Sequence, residues 1–170
     1  MKKILAGMLA LAVMLAFMLA FIGCGKEDKA PAQKVYSISG ECDEFRIING
    51  IAVIGGEEET FYGGKLELKT DDFKNISGHS FEYYIDNGGE HHTILNNVMV
   101  SQNSAYDLYD KETGQISGTI LNFNIDVSVF EQNLHFKLTV TDDSGDEKEF
   151  TIPMEVKQVF EAIDTETETV

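Results

Sequence analysis

Three consecutive runs with a period of two dominate the last third of the chain and leave few folds open to it. Phe123, Ile125, Val127 and Val129 alternate with Asn124, Asp126 and Ser128. Leu134, Phe136, Leu138 and Val140 alternate with His135, Lys137 and Thr139, and Phe150, Ile152, Met154 and Val156 alternate with Thr151, Pro153 and Glu155. Side chains on a strand point to opposite faces in turn, so each run predicts a strand with one dry and one wet face. The joining segments, Glu131-Gln132-Asn133 and Asp142 to Glu147, are short and polar, which implies antiparallel neighbours. Pro153 has no amide hydrogen and belongs at a sheet edge or a bulge.

The earlier part of the chain extends the pattern. Val35 to Cys42 reads as a strand with Tyr36 and Ile38 on one side. Phe45 to Ile48 and Ile51 to Ile54 flank Asn49-Gly50, a pair suited to a type I′ turn, so a hairpin is expected there; a continuous strand with a glycine bulge is the rival. Lys65 to Thr70 and the aromatic stretch His79 to Asp86, closed by Asn87-Gly88-Gly89, add two strands. Glu90 to Gln115 is the least legible part, with a weak strand near Val98 to Val100 and a loop through Asp110 to Gly114. Seven or eight strands with no helix among them predict an all-β, two-sheet antiparallel sandwich over residues 35–163, a closed barrel being the alternative.

Before the domain, Lys2 and Lys3 precede a run from Ile4 to Ile22 without a polar or charged side chain, which must leave water for a bilayer. At about 1.5 Å per residue the run is long enough to be retained as a membrane helix. Cys24 favours a different outcome. Phe21-Ile22-Gly23-Cys24 resembles the lipobox of bacterial lipoproteins, although Phe21 departs from the usual leucine. The resemblance implies that residues 1–23 are a signal peptide, that cleavage follows Gly23, and that the Cys24 thiol carries a diacylglyceryl group. Residues 24–34 then form a tether, and 164–170 a frayed acidic tail. Ser39-Gly40-Glu41, Tyr62-Gly63-Gly64 and Ile116-Ser117-Gly118, with the closing amphipathic hairpin, resemble small uncharacterised surface lipoproteins of Gram-positive bacteria. That resemblance implies an immunoglobulin-like sandwich and an extracytoplasmic, lipid-anchored location. It brings no catalytic residues.

Charge narrows the partners. Residues 1–23 hold two lysines and no carboxylate, so 11 basic and 29 acidic residues remain beyond them, a formal charge near −18. Phosphate neutralisation needs lysine and arginine clusters, which excludes nucleic acid, and an anionic headgroup surface is equally unsuited. A protein, a peptide or another envelope component is the expected ligand, held through loops or a sheet edge.

No nucleophile, acid–base pair, cofactor or phosphate-loop motif stands out, so a non-enzymatic role is expected. A metal-dependent or hydrolytic enzyme would have to assemble its site from His79, His91, His92 and acidic loops. Adjacent histidines on a strand face opposite ways and chelate one ion poorly. Asp142 to Glu147 is rich in oxygen ligands, but its glycine falls too early for an EF-hand, and a solvated hairpin turn is expected. Tyr62, Tyr83, Tyr84, Tyr106 and Tyr109 lack regular spacing and suit core and sheet positions better than a stacking surface. With Cys24 acylated, Cys42 has no intramolecular partner and reads as a half-buried apolar residue. A passive envelope spacer is the third functional reading.

Overall fold

A computed structural model describes residues 32–161 apart from 57, 102–103 and 122–124. The chain is an all-β sandwich of two antiparallel sheets. One sheet contains β1 (Lys34–Glu41), β2 (Phe45–Ile54), β3 (Glu59–Tyr62), β4 (Lys65–Leu68), β7 (Lys111–Glu112), β8 (Gln115–Gly118) and β11 (Glu155–Glu161). The other contains β5 (Ile76–Asn87), β6 (Glu90–Val100), β9 (Leu134–Asp142) and β10 (Glu147–Pro153), in the order β10-β9-β5-β6. Among the described residues no ladder joins the two sheets, so the barrel alternative is not what forms.

Eleven strands among the described residues exceed the seven or eight expected, and most of the excess comes from a crease across the larger sheet. On β2, Phe45 and Ile47 are buried before the crease, whereas Ala52 and Ile54 are buried after it. The inward positions have changed parity, as one extra residue requires. The pairing agrees, since Ile38 faces Gly50 but Gly40 faces Ile47. Asn49 takes φ +59° at this point. Asparagine tolerates that left-handed backbone because its short polar side chain adapts locally. The expected hairpin at Asn49-Gly50 is therefore corrected to the rival continuous strand with a bulge. The physical reason is the neighbour: Phe45–Ile48 pair with β4 and Ile51–Val53 with β3, so the ladder runs on instead of folding back.

The adjoining strands break at the same level. Gly63-Gly64 separate β3 from β4, and Thr113-Gly114 separate β7 from β8. Gly63 N–H donates to Gly114 O at 3.0 Å, and Thr113 N–H donates to Gly64 O at 2.9 Å, so the crease keeps its backbone hydrogen bonds. Tyr83, from the opposite sheet, fills the fold line. Its hydroxyl donates to Gly63 O at 2.6 Å and lies 3.1 Å from Thr113 Oγ1, which donates to Gly64 O at 3.0 Å. Both side chains are fully buried, and burial pushes the Tyr83 phenol well above its ordinary range.

The core lies between the sheets. Tyr36, Ile38, Phe45, Phe61 and Leu66 meet Phe81, Tyr83, Phe136 and Leu138, with edge-to-face contacts of 5.7 Å for Phe45–Phe136 and 5.0 Å for Phe61–Tyr83. Each such side chain withdrawn from water contributes about 1.5–3 kcal/mol.

The strand expected at Phe123 to Val129 is corrected. Phe123 and Asn124 lie outside the described residues, and Val127–Asn133 form a helix, α1. Asp126 starts it by accepting the Ser128 amide at 2.8 Å, an N-cap that the alternating pattern concealed. Phe130, fully buried, then meets Tyr36 edge-on at 5.7 Å. The final run also divides. Pro153 ends β10, an edge strand as its missing amide requires, and at Met154 the chain crosses into β11 of the other sheet.

Candidate functional site

The least legible stretch, Glu90 to Gln115, begins with an eleven-residue strand, β6, and the loop expected through Asp110 to Gly114 contains the two-residue strand β7. A hairpin joins it to β5 through Gly88 and Gly89, whose positive φ angles of +64° and +94° suit the tight turn. Tyr83 faces Leu95 while Tyr84 faces Thr93, so Ile94 is the extra residue of a bulge. Ile94 and Leu95 are consequently both buried, and the simple alternation is lost.

Beyond the bulge the strand is exposed. Val98, Met99 and Val100 are 62%, 45% and 71% accessible, and β6 is the last strand of its sheet. From Asn96 to Val100 it carries no charge or proline. Natural edge strands are usually protected by charges, prolines, bulges or coverings. This half has none of the first two, and its bulge lies further back.

Just inside this edge is an apolar cavity of about 310 Å³ lined by Met99, Tyr106, Asp107, Leu108, Tyr109 and Lys111. The segment forming its wall is fixed to the start of β5: Ile76 and Tyr106 exchange backbone hydrogen bonds at 2.8 and 2.9 Å. A wider cleft of about 530 Å³ lies on the other side of the same segment, with Phe73, Lys74, Leu68 and Asp110 among its walls.

The outer face of the four-stranded sheet carries a second group. Glu82 on β5 accepts from Lys137 Nζ at 2.8 Å, His91 Nε2 at 2.8 Å and Thr93 Oγ1 at 2.7 Å. Burial works against its charge, but these donors prevail and hold the carboxyl down to about 2. His91 stacks on Tyr84 with centroids 4.0 Å apart, and Tyr84 on His135 at 5.2 Å. The group is a clasp tying β6, β5 and β9. Both Glu82 oxygens are engaged in it.

The clasp makes acid stability a measurable consequence. A carboxyl held below its ordinary range stabilises the fold above about pH 4.5, and that contribution is lost as pH falls toward 2. Burial, followed by the Lys111 charge, also lowers His79 to about 4, so its neutral form stabilises the fold above about pH 6.5 and is lost toward pH 4. Glu82→Gln should cost about 2 kcal/mol at pH 7. In urea midpoints measured from pH 7 to 2, the difference from the parent should close only in the lower window. A constant difference across the range would remove Glu82 from the acid transition.

The remaining residues named from the sequence are scattered. His79 is buried under Tyr106 with Nδ1 2.6 Å from its hydroxyl, His91 is in the clasp, and His92, opposite Ile85, has Glu90 at 3.5 Å. Among the described residues no three His, Cys, Asp or Glu side chains are arranged to hold a metal. Asp142 Oδ1 accepts from the Ser144 and Asp146 amides and the Ser144 hydroxyl, the bonding of a hairpin turn. Of the tyrosines, Tyr83 is core and Tyr84 lies in the sheet-face stack, while Tyr62 bonds Glu112 and Tyr109 is exposed. Cys42 is half-buried with its thiol 3.7 Å from Phe45 O, and burial pushes that thiol up. Phe21, Ile22, Gly23, Cys24 and the tail 164–170 lie outside the described residues.

Fold and surface together define an all-β sandwich in which one edge strand, β6, has an exposed, uncharged half with a small apolar cavity beside it. No family model, curated protein or solved structure matches the chain.

Proposed function

We propose that the chain is a lipid-anchored, extracytoplasmic binding module without catalytic activity, and that β6 is the edge by which it takes a protein partner. The single observation carrying this is the uncharged, exposed half of β6 from Asn96 to Val100. An added strand gains main-chain hydrogen bonds along such an edge, and alternate side chains give it selectivity. The lipobox-like Phe21 to Cys24 supports the location, placing the edge outside the cell and within tether reach of a membrane. The dispersal of His79, His91 and His92 favours binding over metal-assisted hydrolysis.

A photocrosslinking amino acid at Val98 of the full-length chain, expressed in intact cells, tests the reading. It should yield one discrete adduct, whereas the same group at the exposed Thr151 of β10 should not. Identical patterns from both positions, or no adduct at Val98, would favour a passive spacer.

A further inference from the structure

The cavity inside β6 has a polarity that its chemistry fixes. Lys111 Nζ lies 3.3 Å from His79 Nε2. An ammonium group has donors only, so Nε2 must accept. The ring hydrogen is then on Nδ1 and is donated to the Tyr106 hydroxyl at 2.6 Å, which leaves the hydroxyl's own hydrogen to be given away. His79 itself is 4% exposed, and its low pKa keeps it in the neutral form that this arrangement needs at pH 7. Two N–H groups of Lys111 and one O–H of Tyr106 remain, all of them donors.

Among the described lysines and arginine of this acidic chain, Lys111 and Lys148 alone have no carboxylate within 4 Å, and Lys148 lies over the Phe150 ring at 4.6 Å. Lys34, Arg46, Lys65, Lys69, Lys74, Lys137 and Lys157 each have a carboxylate within 4 Å. Among the described residues Lys111 has none; instead its ammonium lies 5.8 Å from the centre of the Phe81 ring. Asp107 shares the cavity wall and brings a carboxylate charge to it, its Oδ1 accepting from the Asn75 amide at 3.0 Å. The rest of the lining is the apolar surface of Met99, Leu108 and Tyr109.

We propose that this cavity is a binding site for a small organic monocarboxylate, its anionic head on Lys111 and Tyr106 and its short apolar body against Met99, Leu108 and Tyr109. Pockets of this size bind through apolar walls with a few placed polar groups that set orientation. On Lys111 and Tyr106 those groups are donors and call for an acceptor. The negative field of the whole chain opposes an anion at long range, but at physiological salt it is screened beyond about 8 Å, whereas the Lys111 contact is direct. The site shares Met99 with the edge proposed for a protein partner but takes a ligand of different chemistry, and it does not depend on where the chain resides.

The full-length chain, labelled at its methionine methyl carbons and held in nanodiscs, allows Met99 to report occupancy by NMR. Sodium hexanoate should shift the Met99 methyl resonance saturably, with an affinity at least about tenfold above that of hexan-1-ol or hexylammonium. Lys111→Met should remove that preference and leave the weak response to hexan-1-ol, while Lys111→Arg, which keeps the charge, should retain it. Tyr106→Phe keeps the ring but not the donor, and should weaken hexanoate alone. Equal affinity for the three probes overturns the assignment. So does hexanoate binding that Lys111→Met leaves unchanged; were that variant not to fold, loss of the preference in Lys111→Arg together with an unaltered Tyr106→Phe would overturn it.

Discussion

Replacing Gly64 by alanine should destabilise the domain by about 4 kcal/mol, and lower its thermal midpoint by roughly 15 °C, more than an average surface or core exchange achieves. Two independent costs add at this residue. Its φ of +85° lies where an L side chain is strained by about 1–3 kcal/mol. A Cβ there would also stand 2.3 Å from Ile48 O and 2.6 Å from Gly50 N, both backbone atoms of the neighbouring strand. Neither atom can rotate aside, so relief requires β2 and the β3–β4 segment to separate at the crease. That separation would pull Gly63 O from the Tyr83 hydroxyl and Gly64 O from Thr113. The comparison variant is Tyr83→Phe, which leaves the ring packed and removes only the hydroxyl, for about 1–2 kcal/mol. Thermal denaturation followed by far-UV circular dichroism measures both. A Gly64→Ala midpoint at or above that of Tyr83→Phe would show that the crease has slack, contrary to the close approach of its strands.

The crease also marks the boundary of what sequence alone made legible. The two-sheet sandwich, the strands at Tyr36–Ile38, Leu66, Phe81–Ile85 and Leu134–Val140, and the edge position of Pro153 all followed from period-two alternation and the missing proline amide. Over those residues each strand keeps one face to the core, the condition under which alternation is informative. Where a residue is inserted, the rule inverts. Asn49-Gly50 carries the same positive-φ chemistry whether a strand folds back or bulges, and only the pairing of Ile48 and Ile51 with successive partners selects the bulge. Ile94 hides β6 in the same way, by sending two consecutive side chains inward.

Val127 to Val129 misled for another reason: seven residues are too few for a helical period to outweigh an accidental alternation, and the Asp126 cap was the one local signal of α1. The cavity was less legible still. Lys111 sits between Asp110 and Glu112 and looks like any solvated charge, and its link to His79 joins residues 32 positions apart. The aromatic stack of His91, Tyr84 and His135 likewise spans three strands and has no signature along the chain.

Cys24→Ala should move the protein from the membrane fraction to the medium or leave it as an uncleaved precursor, the largest change in behaviour expected of any single substitution here. The two attachments that residues 1–24 permit differ in which atoms hold the bilayer. In the lipoprotein reading, cleavage after Gly23 discards the apolar run, and acyl chains on the Cys24 sulfur become the anchor. Each buried methylene contributes about 0.8 kcal/mol, so a single chain binds reversibly whereas two or three hold in effect permanently. Alanine has no thiol to accept the diacylglyceryl group, and without that step the anchor is never made. In the retained-helix reading, Ile4 to Ile22 spans the bilayer itself, and Cys24 is one flanking residue of no consequence. Fractionation of cells grown with a radiolabelled fatty acid separates the two. Label on the parent chain, absent from Cys24→Ala, together with loss of the variant from the membrane in processed cells, fits the lipid anchor; an unlabelled parent and an unchanged membrane fraction fit the helix. The domain adds to the discrimination, because the ladder of β1 with β11 sets Lys34 opposite Glu161, in the outermost pair of strands on one side of the larger sheet. The ten residues from Cys24 to Lys34 span at most about 35 Å when extended. Anchored by lipid, the edge β6 and its cavity are therefore confined to a shell close above the membrane, and the same Val98 adduct sought on intact cells should be lost when Cys24→Ala releases the chain, if its partner is itself held at that surface.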